Sequence, residues 1–271
     1  MPTRDETFLQ LHRPGQPLVM PNFWDIGSAR LLASFGFKAL ATTSGGFAAS
    51  LGRLDGCVTR EEALSHCESI VDAVDVPVSA DLENCFADDP EGVAETVRLA
   101  VDAGLAGCSV EDHAPGRSDP IYDLGLARER VAAAAAAAHY GPARLVLTAR
   151  AENFLHGRDD LDDTIKRLQA YQEAGADVLY APRLIRIEDI RSVISSVDRP
   201  VNVLALPGVA PVNVLAEAGA ARISVGSGFA NVAWAALARA AEELRDQGTY
   251  GFTDLSIEGS RLVRSVFGTS V

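Results

Sequence analysis

The sequence has little of what would mark a secreted, membrane-spanning or nucleic-acid-binding protein. Its 271 residues hold four cysteines, Cys57, Cys67, Cys85 and Cys108, with no CxxC pair among them. Scattered thiols of this kind fit a reducing compartment rather than a disulfide framework. No apolar run approaches the ~20 residues needed to cross a bilayer. The opening Met1-Pro2-Thr3-Arg4-Asp5-Glu6 is too acidic for a targeting segment. Positive charge is scarce too: 24 Lys and Arg against 37 Asp and Glu leave a net charge of −13. Such a surface repels phosphate backbones and anionic membranes. The expectation is a cytoplasmic protein without nucleic-acid or membrane partners. An anionic substrate stays open, because a bound cation can reverse the field of an acidic pocket.

What is present is an ordinary core. Hydrophobic residues make up 48% of the chain and charged residues 23%, enough at this length to bury a substantial interior. One phrase recurs: a helical stretch closes on glycine and an apolar strand follows at once, at Gly36, Gly104, Gly175 and Gly219. Glycine supplies the left-handed residue that ends a helix and turns the chain. Helix starts are equally legible. Thr59 with Glu62 forms a capping box, and Asp89-Pro90 gives an N-cap and a first-turn proline.

Strands are therefore expected near 17–21, 38–43, 77–81, 105–111, 144–150, 177–181, 200–205 and 221–225. Helices are expected near 25–35, 59–74, 90–103, 123–139, 161–174, 186–197, 210–218 and 228–246. Each strand is an apolar run rather than an alternating one, the pattern of a parallel sheet covered on both faces. Eight such units predict an α/β fold of the (β/α)8, TIM-type barrel class. An open doubly wound sheet is the alternative. It usually carries a glycine-rich phosphate turn after its first strand, and Pro21-Asn22-Phe23-Trp24-Asp25 is not one. No linker interrupts the chain, so residues 1–271 read as a single domain. Residues 247–271 form a C-terminal amphipathic helical extension, with Leu255, Leu262, Val263 and Val266 packing on the same molecule or on a partner subunit.

Several strands run straight into charged groups. Asp81 and Glu83 follow the third strand; Glu111, Asp112 and His113 close the fourth; Arg150 and Glu152 close the fifth. Asn202 lies on the seventh strand and Asp55 in the long loop after the second. Acids at the tips of buried strands are costly unless paired or metal-bound, and in a barrel of this type those tips surround the active site. An all-oxygen set suits a hard cation, Mg²⁺ or in its place Mn²⁺, that takes one or two carboxylates directly and the rest through water. Asp81 is the expected direct ligand, with Glu83, Glu111 and Asp55 acting through water. The competing reading has these acids capping helices or pairing with Arg150 and Arg183. Thr42-Thr43-Ser44-Gly45-Gly46 offers hydroxyls and backbone N–H groups to a carboxylate or phosphate, or is a plain loop. Arg150 is a planar bidentate donor for a substrate carboxylate, or a structural ion pair. His113 could shuttle protons or simply hydrogen-bond. Cys85 and Cys108 read as packing residues.

Five segments together, Asn22-Phe23-Trp24-Asp25-Ile26-Gly27-Ser28-Ala29-Arg30, Leu51-Gly52-Arg53-Leu54-Asp55, Ala80-Asp81-Leu82-Glu83-Asn84, Val110-Glu111-Asp112 and Thr148-Ala149-Arg150-Ala151-Glu152, resemble the isocitrate lyase/phosphoenolpyruvate mutase superfamily. Ala170-Tyr171-Gln172-Glu173-Ala174-Gly175-Ala176-Asp177 fits it as well. The resemblance runs in order from about residue 18 to 245. It implies a barrel, commonly with its last helix exchanged between subunits of a homo-oligomer (a dimer or tetramer), and a Mg²⁺ site for 2-oxo or 2-hydroxy carboxylates. On matching positions it implies Thr43, Ser44 and Gly45 at the substrate carboxylate and Arg150 as a cationic clamp. It also implies Asp81 as the direct metal ligand, with Asp55, Glu83 and Glu111 around it.

The departures narrow the chemistry. Lyases of this superfamily carry Lys-Lys-Cys-Gly-His in a lid after the Glu-Asp pair, whereas this chain reads His113-Ala114-Pro115-Gly116-Arg117-Ser118-Asp119, without the cysteine. Pro182 stands where phosphonate-processing members carry histidine, and Cys85-Phe86-Ala87 replaces a glycine-rich turn. The leading expectation is a Mg²⁺-dependent C–C lyase or decarboxylase acting on an oxaloacetate- or methylisocitrate-like acid through an enolate. In it Asp55, Glu111, Arg150 and His113 are catalytic, and Glu152 and Asn202 join the substrate contacts. The alternatives are a phosphoenolpyruvate or phosphonopyruvate mutase or hydrolase, and a 2-oxo acid binding protein on a decayed lyase site.

Overall fold

The computed structural model describes residues 4–268 apart from Ala114, Arg117, Ser118 and Pro142. Nine strands lie in one sheet: β1 (Leu18–Met20), β2 (Asn22–Phe23), β3 (Leu40–Thr42), β4 (Val78–Asp81), β5 (Gly107–Glu111), β6 (Val146–Arg150), β7 (Val178–Tyr180), β8 (Val201–Leu204) and β9 (Arg222–Ser224). All pair in parallel, in the order β1-β9-β8-β7-β6-β5-β4-β3-β2. The two ends of that order are consecutive in sequence, separated by Pro21. Leu18 to Met20 pair with Arg222 to Ser224, while Asn22 and Phe23 pair with Ala41 and Thr42. Proline has no N–H to give a ladder. β1 thus fills the strand expected over 17–21, Pro21 ends it, and β2 is a further strand beyond that range that serves a different neighbour. The sheet closes around this break into a barrel. No strand order reverses, so the open doubly wound alternative does not hold.

Nine of the helices follow the expected phrases: α2 (Ile26–Ser34), α4 (Arg60–Val71), α5 (Pro90–Asp102), α6 (Leu124–Ala138), α7 (Leu161–Glu173), α8 (Ile187–Ser195), α9 (Val212–Glu217), α10 (Gly228–Asp246) and α11 (Thr253–Phe267). The capping box of α4 forms as read: Thr59 Oγ1 accepts from Glu62 N at 3.2 Å, and Glu62 Oε2 accepts from Thr59 N at 2.9 Å. The helix-closing glycines lie at positive φ, from 76° at Gly104 to 106° at Gly175. Two short helices were not anticipated, α1 (Arg4–Gln10) and α3 (Ser44–Ser50). The second corrects the loop reading of Thr43-Ser44-Gly45-Gly46: Thr43 is the N-cap of α3, its hydroxyl accepting from Gly46 N.

The barrel interior is filled unevenly. At its lower end Phe8 of α1 is fully buried against Leu18, Met20, Ala39, Ala41, Ala106, Val146 and Val178. Gly107 makes room for this plug, since a Cβ there would lie 2.6 Å from the Phe8 ring. Higher up, the inward positions of β4, β5 and β6 are the small polar residues Ser79, Ser109 and Thr148. They leave space beneath the strand tips, and that space becomes the site. Phe267 of α11 lies against Gly27 and the Arg30 guanidinium of α2 in the same chain. Among the described residues no helix is long and apolar enough to cross a membrane.

Candidate active site

A cavity of about 420 Å³ opens at the carboxyl ends of the strands. Its wall includes Asp55, Asp81, Glu83, Glu111 and Arg150, so five groups from four segments of sequence face one space. Arg150 is the hinge of the arrangement. Its Nη1 donates to Asp81 Oδ1 at 2.9 Å and to Glu111 Oε1 at 2.8 Å, and its Nε donates to Glu152 Oε1 at 2.6 Å. The guanidinium also lies 5.0 Å from the centre of the Tyr180 ring. Asp81 is held from its other side: Oδ2 accepts from Ser44 N at 3.2 Å and Ser44 Oγ at 3.0 Å. Its backbone N donates to Thr42 Oγ1 at 2.7 Å, and Ser109 Oγ donates to Oδ1 at 3.3 Å. The carboxylate cannot swing. One arginine paired with so many acids leaves a surplus of negative charge around it.

The electrostatics register that surplus. Burial, then Asp81 and Asp55, push Glu83 up to about 7. Burial and neighbouring acids raise Glu111 well above the usual carboxylate range despite Arg150. Burial, then the negative charge of Asp81, raises Asp55 against the hydrogen bond from Ser44. Carboxyls displaced in this direction are ones that added positive charge would bring back down, and an all-oxygen set suits a hard divalent cation. Among the described residues no three His, Cys, Asp or Glu side chains already form a compact ligand cluster. Arg150 occupies one oxygen each of Asp81 and Glu111, and a hard cation held by one carboxylate directly and by others through water would need no compact cluster. The donor set fits Mg²⁺ in that open form.

The other expected residues are placed as follows. Thr43 and Ser44 line the cavity, and Thr43 Oγ1 lies 2.8 Å from Ser227 Oγ. Gly45 is packed beside the wall, where a Cβ would sit 2.9 Å from Ser227 Oγ and 3.2 Å from Asp55 Oδ2. Glu152 is fully buried behind Arg150, and burial brings it to about 7. Asn202 lines the wall, with its amide committed to Ser224 Oγ at 2.9 Å and to Arg222 Nε at 3.0 Å. His113 stands at the mouth, stacked on His156 with ring centroids 3.9 Å apart. Burial holds His113 near 4, neutral at ordinary pH. Pro115 shares this rim, while Ala114, Arg117 and Ser118 of the same segment lie outside the described residues.

Neighbouring acids take opposite roles. Glu111 faces the cavity, whereas Asp112, one residue on, points away and is buried. Asp112 accepts from Arg167 Nη1 at 3.1 Å, Tyr171 Oη at 2.6 Å and Glu152 N at 2.8 Å. Successive strand residues face opposite sides of a sheet, so one of the pair serves the site and the other its support. The turn after β4 is strained: Glu83, Cys85 and Phe86 all adopt positive φ, between 52° and 59°. This is where the glycine-rich turn of the resemblance is replaced, and non-glycine residues carry a left-handed backbone at some cost. Arg130 pins that turn, donating to Asn84 O at 2.5 Å, Ala87 O at 2.9 Å and Glu111 O at 3.1 Å. Sequence reasoning passed over Ser109, Tyr180, His156, Arg222 and Ser227. For Arg222 a signal was there, a charge inside the apolar run Ala220-Ala221-Arg222-Ile223.

Residues 8–245 match the family model described as phosphoenolpyruvate phosphomutase. The chain is similar to 2-methylisocitrate lyase of Escherichia coli (strain K12), with 28% identity over 267 residues, 89% of this chain and 88% of the relative. It is 31% identical over 241 residues to an uncharacterized protein of Mycobacterium tuberculosis (strain ATCC 25618 / H37Rv), covering 89% of each. A solved structure from Burkholderia cenocepacia J2315, described only as a lyase/mutase, is 49% identical. It superposes with a TM-score of 0.92 over 96% of this chain and 94% of that one. The structure of 2,3-dimethylmalate lyase is 27% identical, with a TM-score of 0.82 over 93% of this chain and 90% of the other.

Proposed function

Because the chain belongs to the phosphoenolpyruvate phosphomutase family, within the isocitrate lyase/phosphoenolpyruvate mutase superfamily, we propose that it cleaves a carbon–carbon bond in a small 2-oxo or 2-hydroxy carboxylic acid. The observation that carries this reading is the convergence of Asp81 and Glu111 on one Arg150 nitrogen, at 2.9 and 2.8 Å, beside Glu83 and Asp55 in the same cavity. Asp81 directly, and Glu83, Glu111 and Asp55 through water, would hold Mg²⁺, which supplies a Lewis acid for the substrate carboxylate and its adjacent oxygen.

The chain's own groups do the rest. Arg150, fixed by three carboxylates and the Tyr180 ring, cannot drift from its position. It offers a preorganised positive charge to the oxygen that becomes negative as the bond electrons pass into an enolate. Thr43 and Ser44 present hydroxyls at the same wall and orient the acid end. His113 and His156, kept neutral by burial, are placed to accept a proton at the mouth. Decarboxylation of a 3-carboxylated 2-oxo acid asks for nothing beyond the enolate sink. It therefore suits a chain without the lid cysteine.

Two relatives bear on the bond cleaved. 2-Methylisocitrate lyase and 2,3-dimethylmalate lyase are named for lyase reactions of branched acids. Phosphorus chemistry is the less favoured alternative, because Pro182 lines the cavity at the position where phosphonate-processing members carry histidine. A homo-oligomer is part of the proposal, since α10 and α11 turn Val232, Leu237, Leu255 and Val263 to solvent, each more than half exposed. The test is turnover. With Mg²⁺, the protein should release CO₂, pyruvate or another short acid from some member of a panel of 2-oxo and 2-hydroxy acids. If panel members raise the melting temperature and none is consumed, the protein is a 2-oxo acid binder instead.

A further inference from the structure

Two arginines face the cavity, and only one is neutralised. Arg150 is met by three carboxylates, but Arg222, 4% exposed on β9, has none within 4 Å among the described residues. Its partners are all neutral. Nε donates to Asn202 Oδ1 at 3.0 Å, Nη2 donates to Thr148 Oγ1 at 3.1 Å, and Nη1 lies 3.3 Å from His12 Nε2. His12 is itself oriented, with Nδ1 2.9 Å from Phe8 O. With Nδ1 donating to that carbonyl, Nε2 is left as the acceptor facing the guanidinium. Burial, then Arg222, keeps His12 neutral, down to about 3. Burial lowers Arg222 to about 10, and Arg150 adds to that depression. Three of the five guanidinium N–H groups are engaged by these partners, leaving two for something else.

A buried charge without a counter-charge is costly. The second buried arginine of this kind, Arg130, meets that cost by donating to three backbone carbonyls and stacking 4.1 Å from the Tyr122 ring, away from the cavity wall. Arg222 has no such arrangement and does line the cavity. Arg222 Nη1 lies beside His12, which is tied to Phe8, the residue that plugs the lower end of the barrel, whereas Arg150 reaches Asp81 and Glu111 at the strand tips. The two guanidiniums therefore sit at different depths. The acid cluster is near the mouth, and Arg222 is the cation of the floor.

We propose that Arg222 sets substrate specificity by receiving the distal carboxylate of a small dicarboxylate whose 2-oxo or 2-hydroxy acid end lies at the Asp81, Glu83 and Glu111 cluster. The inference rests on the function proposed above and deepens it by naming the side chain that receives the second carboxylate. Asn202, Thr148 and His12 act as positioning residues, fixing three edges of the guanidinium so that its remaining N–H groups are aimed without reorganisation.

The probes are oxalate, which has no distal arm, malate, and the 4-carboxamide of malate, each titrated calorimetrically with Mg²⁺ present. The wild-type protein should bind malate at least about tenfold more tightly than the neutral amide, since one buried charge-assisted pair is lost. Arg222→Gln should weaken malate about 100-fold while leaving oxalate within about threefold, and Arg222→Lys should recover part of the loss. Equal affinities for malate and its amide in the wild type would overturn the assignment, and that comparison needs no variant to fold. So would an Arg222→Gln protein that loses oxalate as severely as malate, the pattern of a purely structural residue. If the wild-type protein binds no oxalate with Mg²⁺, the functional reading itself fails and this inference falls with it.

Discussion

Asp81→Asn should lower Mg²⁺-dependent turnover on the order of 10³-fold and abolish the calorimetric signal for Mg²⁺, with the melting temperature little changed. The substitution is nearly isosteric. It keeps an oxygen for Ser44 and removes only the charge that would be the direct ligand. The fold does not depend on that charge: Asp81 lies on the cavity wall with its side chain 19% exposed, and the β4 ladder on either side is made by backbone groups. Arg150 keeps Glu111 at 2.8 Å and Glu152 at 2.6 Å, so no buried charge is orphaned. Activity within tenfold of wild type would remove Asp81 from the metal site.

The largest effect on stability is expected one strand over, from an acid that never touches the cavity. Asp112→Ala should cost about 3–5 kcal/mol, seen as a drop in the denaturation midpoint, with the melting temperature falling by roughly 10 °C. Asp112 is 3% exposed and accepts from Arg167, Tyr171 and the backbone of Glu152 at once. Its removal leaves the Tyr171 hydroxyl buried without that acceptor. Arg167 keeps Asp163 at 2.7 Å and Tyr122 O at 2.8 Å, which limits the loss. The Glu152 tether goes as well, and with it the backing of Arg150. A loss below about 1 kcal/mol would show that the network is dispensable.

This pair of predictions also marks what the sequence discloses and what it does not. Acids and an arginine at the tips of buried parallel strands were legible, because such strands are apolar throughout and any charge at their ends stands out. Which way each tip faces was not. Glu111 and Asp112 are adjacent, similar and equally plausible as ligands until strand register decides between them. The helix α3 was hidden because Ser44-Gly45-Gly46 are poor helix formers; it exists through the Thr43 cap and the burial of Gly46 and Ala48. The break at Pro21 follows from the closure of the sheet, which no local window contains. Nor could the left-handed backbone of Glu83, Cys85 and Phe86 be read from residues that disfavour it; Arg130, from a distant helix, imposes it. Arg222 was visible as a charge in an apolar strand, yet its lack of an acid within 4 Å among the described residues is a three-dimensional fact.

Oxalate affinity measured calorimetrically on the wild-type protein, once with Mg²⁺ and once with EDTA, probes the centre of the account. Acids that gather a divalent ion, which then grips an organic anion, predict saturable binding with the metal and no detectable heat without it. Equal binding in EDTA would mean that the arginines hold the anion unaided, and the metal-centred reading of the cavity would be wrong.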